Sequence, residues 1–128
     1  MRIFVVPGPR AAALARAAQA AGHDVVNDIR AHALAGVQKS ERDAFLLAVD
    51  KMLEAELILA DASIPDPAVG WCVAWFLAKG RLVVLACAKE QRVALSPMLA
   101  GNPSPWQKLV LYAGESELEA GVAAALRF

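Results

Sequence analysis

A parallel β-sheet wrapped by helices on both faces is the fold predicted by this 128-residue sequence. The first reason is that strand-like apolar runs alternate with helical segments along the chain, the pattern of consecutive βα units. The second is that the opening run, Arg2 to Val6, fits a buried strand and stops at Pro7-Gly8-Pro9. The third is that 58% hydrophobic content in one chain of this length is ample for a single packed core, so residues 1–128 form one domain.

The elements follow in order. Arg10 to Ala21 is a helix of strong formers closed by Gly22, and Ala11, Ala15 and Ala18 give it a small-residue face for close packing on a sheet. Asp24 to Val26 is a second short strand, and Asn27 to Lys39 has no clean periodicity. Ser40 to Ala55 is a helix with Ser40 as cap and Asp43 three residues on; Phe45, Val49, Met52 and Leu53 form its expected buried stripe. Leu57 to Asp61 is a strand. Asp66-Pro67 then supplies a cap and a first-turn proline for a helix running to about Lys79, apolar nearly all round and therefore expected to be enclosed. Leu82 to Cys87 and Lys108 to Tyr112 are the last two strands, and Ser116 to Leu126 is a closing helix with a Ser116/Glu119 capping box. Ligands of such sheets bind beyond the carboxyl ends of the strands, where the strand order reverses. The loops Pro7 to Arg10, Asp61 to Gly70 and Cys87 to Ser104 are the candidates.

Composition excludes several functions. Thirteen basic residues balance thirteen acidic ones, so no electrostatic footprint for nucleic acid or anionic lipid is present. The apolar runs are too short to span a bilayer or to form a signal-peptide core. Cys72 and Cys87, both in apolar surroundings, suit reduced thiols in a cytoplasmic protein. Two histidines and two cysteines without tight spacing predict no metal site, and Gly8 alone between prolines makes no phosphate loop, so no cofactor is expected.

The most specific stretch is Glu56 to Ala86, which reads strand, loop, helix, strand. Its helix carries Gly70-Trp71-Cys72-Val73-Ala74-Trp75 and runs on to Gly80-Arg81-Leu82-Val83-Val84-Leu85. This resembles the nucleoside 2-deoxyribosyltransferase superfamily, which includes the nucleotide N-glycosidases. Members have a strand ending in Ala-Asp, a loop, a Gly-x-Glu-x-Gly-Tyr/Trp helix, and Gly-Lys-Pro before an apolar strand. The resemblance implies a flavodoxin-like, or Rossmann-like, three-layer sandwich with five parallel strands. It also implies a small-molecule nucleotide or nucleoside as ligand, and a homodimer in which each site is completed by its neighbour.

The same resemblance locates what has changed. The family Glu, which attacks or stabilises the anomeric carbon, falls on Cys72. The family Asp that holds the ribose, eight residues before the Asp opening the central strand, falls on Ala48, since the strand-opening position is Glu56. Asp50 is no substitute, because at 100° per residue it lies on the opposite flank of the stripe from Ala48. Cys72 reads either as a small apolar filler or as a thiol activated near a helix N-terminus. Gly70 beside it lets a ligand approach the backbone.

Binding positions fare better in the comparison. Arg10 stands where the family places an arginine on phosphate or base, although Pro7 and Pro9 remove backbone donors. Arg92 to Leu99 resembles a segment of the monophosphate hydrolases whose serine, here Ser96, contacts phosphate. Asn27 and Arg30 fall on an Asn-x-His-Arg base-contacting pattern with Ile29 where the His belongs. Trp71 and Trp75 read as base-stacking groups, core or subunit interface. Three functions remain open: a catalytically impaired nucleotide- or nucleoside-binding protein, an active N-glycosidase or deoxyribosyltransferase, and a partner-binding module with a closed pocket.

Overall fold

The computed structural model describes residues 1–28 and 40–128, and within them the chain builds five parallel strands and five α-helices. The strands are β1 (Arg2–Val5), β2 (Asp24–Val25), β3 (Leu57–Asp61), β4 (Leu82–Ala88) and β5 (Gln107–Tyr112). The helices are α1 (Ala11–Ala20), α2 (Glu41–Glu54), α3 (Pro67–Ala78), α4 (Pro97–Ala100) and α5 (Glu115–Ala125), with a 3-10 segment at Lys89–Ala94. The strand order is β2-β1-β3-β4-β5. This is the expected flavodoxin-like sandwich.

Alternation along each strand feeds two separate cores. Ile3, Val5, Leu57, Leu59, Val84 and Ala86 face α1 and α5, where Leu14, Leu118 and Val122 cover them. Phe4, Val6, Ile58, Ala60, Val83 and Leu85 face α2 and α3, where Met52, Val69, Val73 and Phe76 do the same. The chain leaves β1 toward one layer and β3 toward the other, so the crossovers diverge between these neighbouring strands. A crevice opens there at their carboxyl ends.

Close approach of α1 and α5 to the sheet rests on small residues. Ala11, Ala15 and Ala18 are all buried, as the alanine face predicted. Gly121 of α5 sits so near β5 that an added Cβ would fall 2.4 Å from Val110 Cγ1. Gly22 ends α1 at φ +89°, a conformation that favours glycine.

Capping agrees with the sequence in two helices and differs in one. Ser40 accepts from Asp43 N at 3.1 Å, and Asp66 accepts from Ala68 N at 2.9 Å with Pro67 in the first turn. The expected Ser116/Glu119 box is not formed. Gly114 is the N-cap, and the Glu117 carboxylate accepts from Ala113 N at 2.9 Å instead, so the helix starts one residue earlier. At the other end of α2, the Arg81 guanidinium donates to the carbonyls of Met52, Leu53 and Ala55. The Leu53 carbonyl is one that a helix end leaves without an intrahelical partner, whereas Met52 O also accepts from Ala55 N at 3.1 Å.

Two burial expectations are corrected. Of the stripe Phe45, Val49, Met52 and Leu53, only Met52 is buried; Phe45 and Leu53 are each 51% exposed. Helix α3 is not enclosed either, since Ala68, Trp71 and Ala74 face outward. An apolar stripe reports which side of a helix avoids water, and within one chain α2 and α3 have partners for only part of theirs. The uncovered remainder is continuous: Phe45 of α2 meets Trp71 of α3 edge-on, with ring centroids 5.5 Å apart.

Gly121→Ala is expected to destabilise the protein by up to about 2 kcal/mol. Alanine gains roughly 1 kcal/mol of helix propensity, but overpacking against a stiff β-branched side chain costs about 1–3 kcal/mol. Thermal or denaturant melting of the variant checks the sign.

Candidate functional site

Among the described residues, two clefts lie at the carboxyl end of the sheet, and they share the ridge Ile64, Pro65, Asp66 and Val69. The first, about 540 Å³, runs between the β1–α1 loop and the loop after β3, and includes Arg10, Asp61, Ser63, Glu90 and Tyr112. The second, about 580 Å³, lies between α3 and the segment after β4, with Gly70, Val73, Leu77, Leu95, Ser96 and Leu99 in its walls. The first is the crevice at the point where the strand order reverses. The three predicted loops therefore line two adjacent clefts.

The floor of the first cleft carries a hydrogen-bonded cluster built by sheet register. Asp61 ends β3, and Ala88 of β4 pairs in register with Tyr112 at the end of β5. The Asp61 carboxylate accepts from Ser63 N at 2.8 Å through Oδ1 and from the Tyr112 hydroxyl through Oδ2. Ser63 Oγ accepts from Ala88 N at 2.8 Å and lies 3.4 Å from the Tyr112 oxygen. Burial and the bond to Asp61 raise the pKa of Tyr112, so the phenol stays protonated and keeps donating. Arg10 is exposed on the same cleft. Among the described residues no carboxylate pairs with its guanidinium.

The residues singled out from the sequence are spread around this end of the fold. Arg10 belongs to the first cleft, while Gly70 and Ser96 belong to the second. Ser96 caps the short helix α4, accepting from Met98 N at 3.2 Å. Cys72 lines neither cleft. It is 8% exposed and packs among Phe4, Ala60, Val69 and Phe76, and Ala48 packs against the same apolar layer. Burial, reinforced by the Asp66 charge, pushes the Cys72 thiol up to about 11. Asp50 is exposed on the far side of α2. Asn27 is buried with its amide gripping β1, where Oδ1 accepts from Val5 N at 2.9 Å and Nδ2 donates to Val5 O at 2.8 Å. Arg30 and Ile29 lie outside the described residues. Trp75 is half-buried under two cations, with Lys79 Nζ 4.8 Å and Arg81 Cζ 5.6 Å from its ring centroid.

Asp61, Ser63 and Tyr112 did not stand out in the sequence. The available signal was a carboxylate closing the otherwise apolar run Leu57 to Ala60. Its partner Tyr112 is 51 positions away, and only the strand order joins the two. Among the described residues no group of three or more His, Cys, Asp and Glu could hold a metal ion, and no helix is long and apolar enough to cross a membrane.

No protein-family model matches the sequence, and no curated protein does. Among solved structures, the CMP N-glycosidase BcmB of Clostridium botulinum superposes on this chain with a TM-score of 0.68. The match covers 94% of this chain and 95% of that one at 18% sequence identity. The two share a fold.

The Cys72 thiol is expected to resist alkylation in the folded protein. With its pKa near 11, only about one molecule in a thousand carries the thiolate at pH 8, and the side chain is packed from solvent besides. Mass-spectrometric labelling with iodoacetamide should modify Cys72 only after denaturation. Fast labelling of the native state would mean that the layer around it opens.

Proposed function

We propose that this protein binds a nucleoside or nucleotide on a nucleoside deoxyribosyltransferase-like fold and does not cleave the glycosidic bond. The observation that carries the reading is the apolar layer around Cys72 and Ala48. Glycosidic cleavage passes through an oxocarbenium-like state that carboxylates stabilise. A neutral, buried thiol and a methyl group supply neither negative charge nor a proton acceptor at those positions. Losing one acid–base group lowers a rate by about 10²–10⁴-fold, and groups that act as a unit fail together. Binding is supported by the two clefts, by the uncommitted guanidinium of Arg10, and by their place at the strand switch point.

Incubation with a panel of nucleosides and 5′-monophosphates should release no free base above the buffer blank by chromatography. Calorimetric titration should nevertheless detect binding at or below millimolar ligand. Arg10→Ala should weaken monophosphates about ten- to a hundredfold and leave nucleosides nearly unchanged, because an arginine–phosphate bond contributes about 1.5–3 kcal/mol. Turnover abolished by Cys72→Ala would replace this reading with a thiol-based enzyme. Absence of binding would favour a partner-binding role.

The functional unit on this reading is a homodimer. Residues 67–78 of α3 contain no charged side chain, yet Trp71 is 45% exposed and continuous with Phe45, at 51%. Leu46 and Leu53 of α2 extend the exposed apolar surface. A two-fold axis through this face would set the same apolar helices against each other. Light scattering at micromolar concentration should give the mass of a dimer, and Phe45→Glu with Trp71→Glu should give a folded monomer. A monomeric wild type would refute it.

A further inference from the structure

The Asp61–Ser63–Tyr112 cluster has hydrogen-bonding capacity that the fold does not use. A carboxylate offers about four lone-pair directions. Ser63 N takes one on Oδ1 and the Tyr112 hydroxyl one on Oδ2, leaving one on each oxygen of a half-buried group that lines the cleft. Because its own loop holds one oxygen and the end of β5 the other, the carboxylate is fixed in orientation. Ser63 Oγ accepts from Ala88 N, so its own proton remains to be donated, to the Tyr112 oxygen 3.4 Å away, to the neighbouring Cys87 sulfur or to a ligand.

Charge narrows what can occupy this floor. Among the described residues, Asp61, Asp66 and Glu90 line the cleft against one cation, Arg10. An anion placed on Asp61 would meet like charge. An ammonium would share the cleft with a guanidinium, and it has no acceptor for the Ser63 proton. A neutral group that donates to both carboxylate oxygens and accepts from a hydroxyl meets every requirement, and adjacent hydroxyls on a sugar ring are such a group.

We propose that Asp61 and Ser63 bind the vicinal 2′- and 3′-hydroxyls of a ribose, so that the cleft prefers ribonucleosides to 2′-deoxyribonucleosides. Tyr112 is a positioning residue, fixing the carboxylate from behind. This rests on the nucleoside reading above for the rest of the ligand, but the recognition itself needs only the diol. Removing the 2′-hydroxyl leaves one carboxylate oxygen without its donor.

The deciding experiment is calorimetry with cytidine, uridine, adenosine and guanosine, their 2′-deoxy counterparts, and free ribose. The ribonucleosides should bind about ten- to a hundredfold more tightly than the deoxy forms, the range for loss of one hydrogen bond to a charged group. Asp61→Asn keeps the shape but removes the charge and one acceptor, and should bring that ratio close to one. Tyr112→Phe should lower the ratio while Asp61 is still present, a readout that loss of packing alone would not move. Equal affinity for ribo and deoxy forms, or a ratio that survives Asp61→Asn, overturns the diol site and leaves the nucleoside reading intact. Binding of free ribose without any nucleoside, sensitive to Asp61→Asn, does the reverse. If none of these ligands binds at millimolar concentration, both are overturned.

Discussion

The pairing of β3 with β4 is the constraint on which the rest of the structure depends. Five successive register partners, from Leu57↔Leu82 to Asp61↔Ala86, lock the two central strands. Each is apolar on both faces, because a parallel strand between two helical layers has no side turned to water. Once that register is set, every strand ends at the same edge of the sheet. The groups that end them, Asp61, Ala88 and Tyr112, are then brought within hydrogen-bond reach through Ser63. A slip of one position would turn the whole apolar set of a strand to the other layer and take the carboxylate away from its phenol.

Much of the fold was legible because its signals are local. Ser40, the Asp66-Pro67 pair and Gly22 each act within a few residues, and each ends a helix where the sequence placed the boundary to within one residue. The order of elements carries the topology with little further information. The cap of α5 was misplaced by two residues because Ser116 is a common cap residue, whereas the N-cap is Gly114, which has no side chain to cap with, and Glu117 reaches back to Ala113 N just outside the helix.

The site was less legible, for two physical reasons. Residues that meet only through sheet register have no sequence spacing to reveal them, which is why nothing in the sequence joined Tyr112 to Asp61. Resemblance to a family, in turn, points to positions and not to surroundings. Arg10 and Ser96, both expected to contact one ligand, face different clefts of one chain. Asn27, expected to contact a base, grips a neighbouring strand with both ends of its amide. The stripe on α2 failed differently: Phe45 and Leu53 are apolar in the expected pattern, but periodicity cannot say whether the covering surface comes from the same chain.

The carbon-lined surroundings of Cys72 also limit how the sequence can change. A lone Glu at this position would put a charge among Phe4, Ala60 and Phe76, with Asp66 repelling it. Such burial costs several kcal/mol, a large share of the roughly 5–15 kcal/mol that holds a small domain together. Drift at this helix is thus channelled toward alanine, serine or valine. A carboxylate could be accommodated only after neighbouring residues had changed first, so the order in which substitutions arrive matters as much as which ones they are.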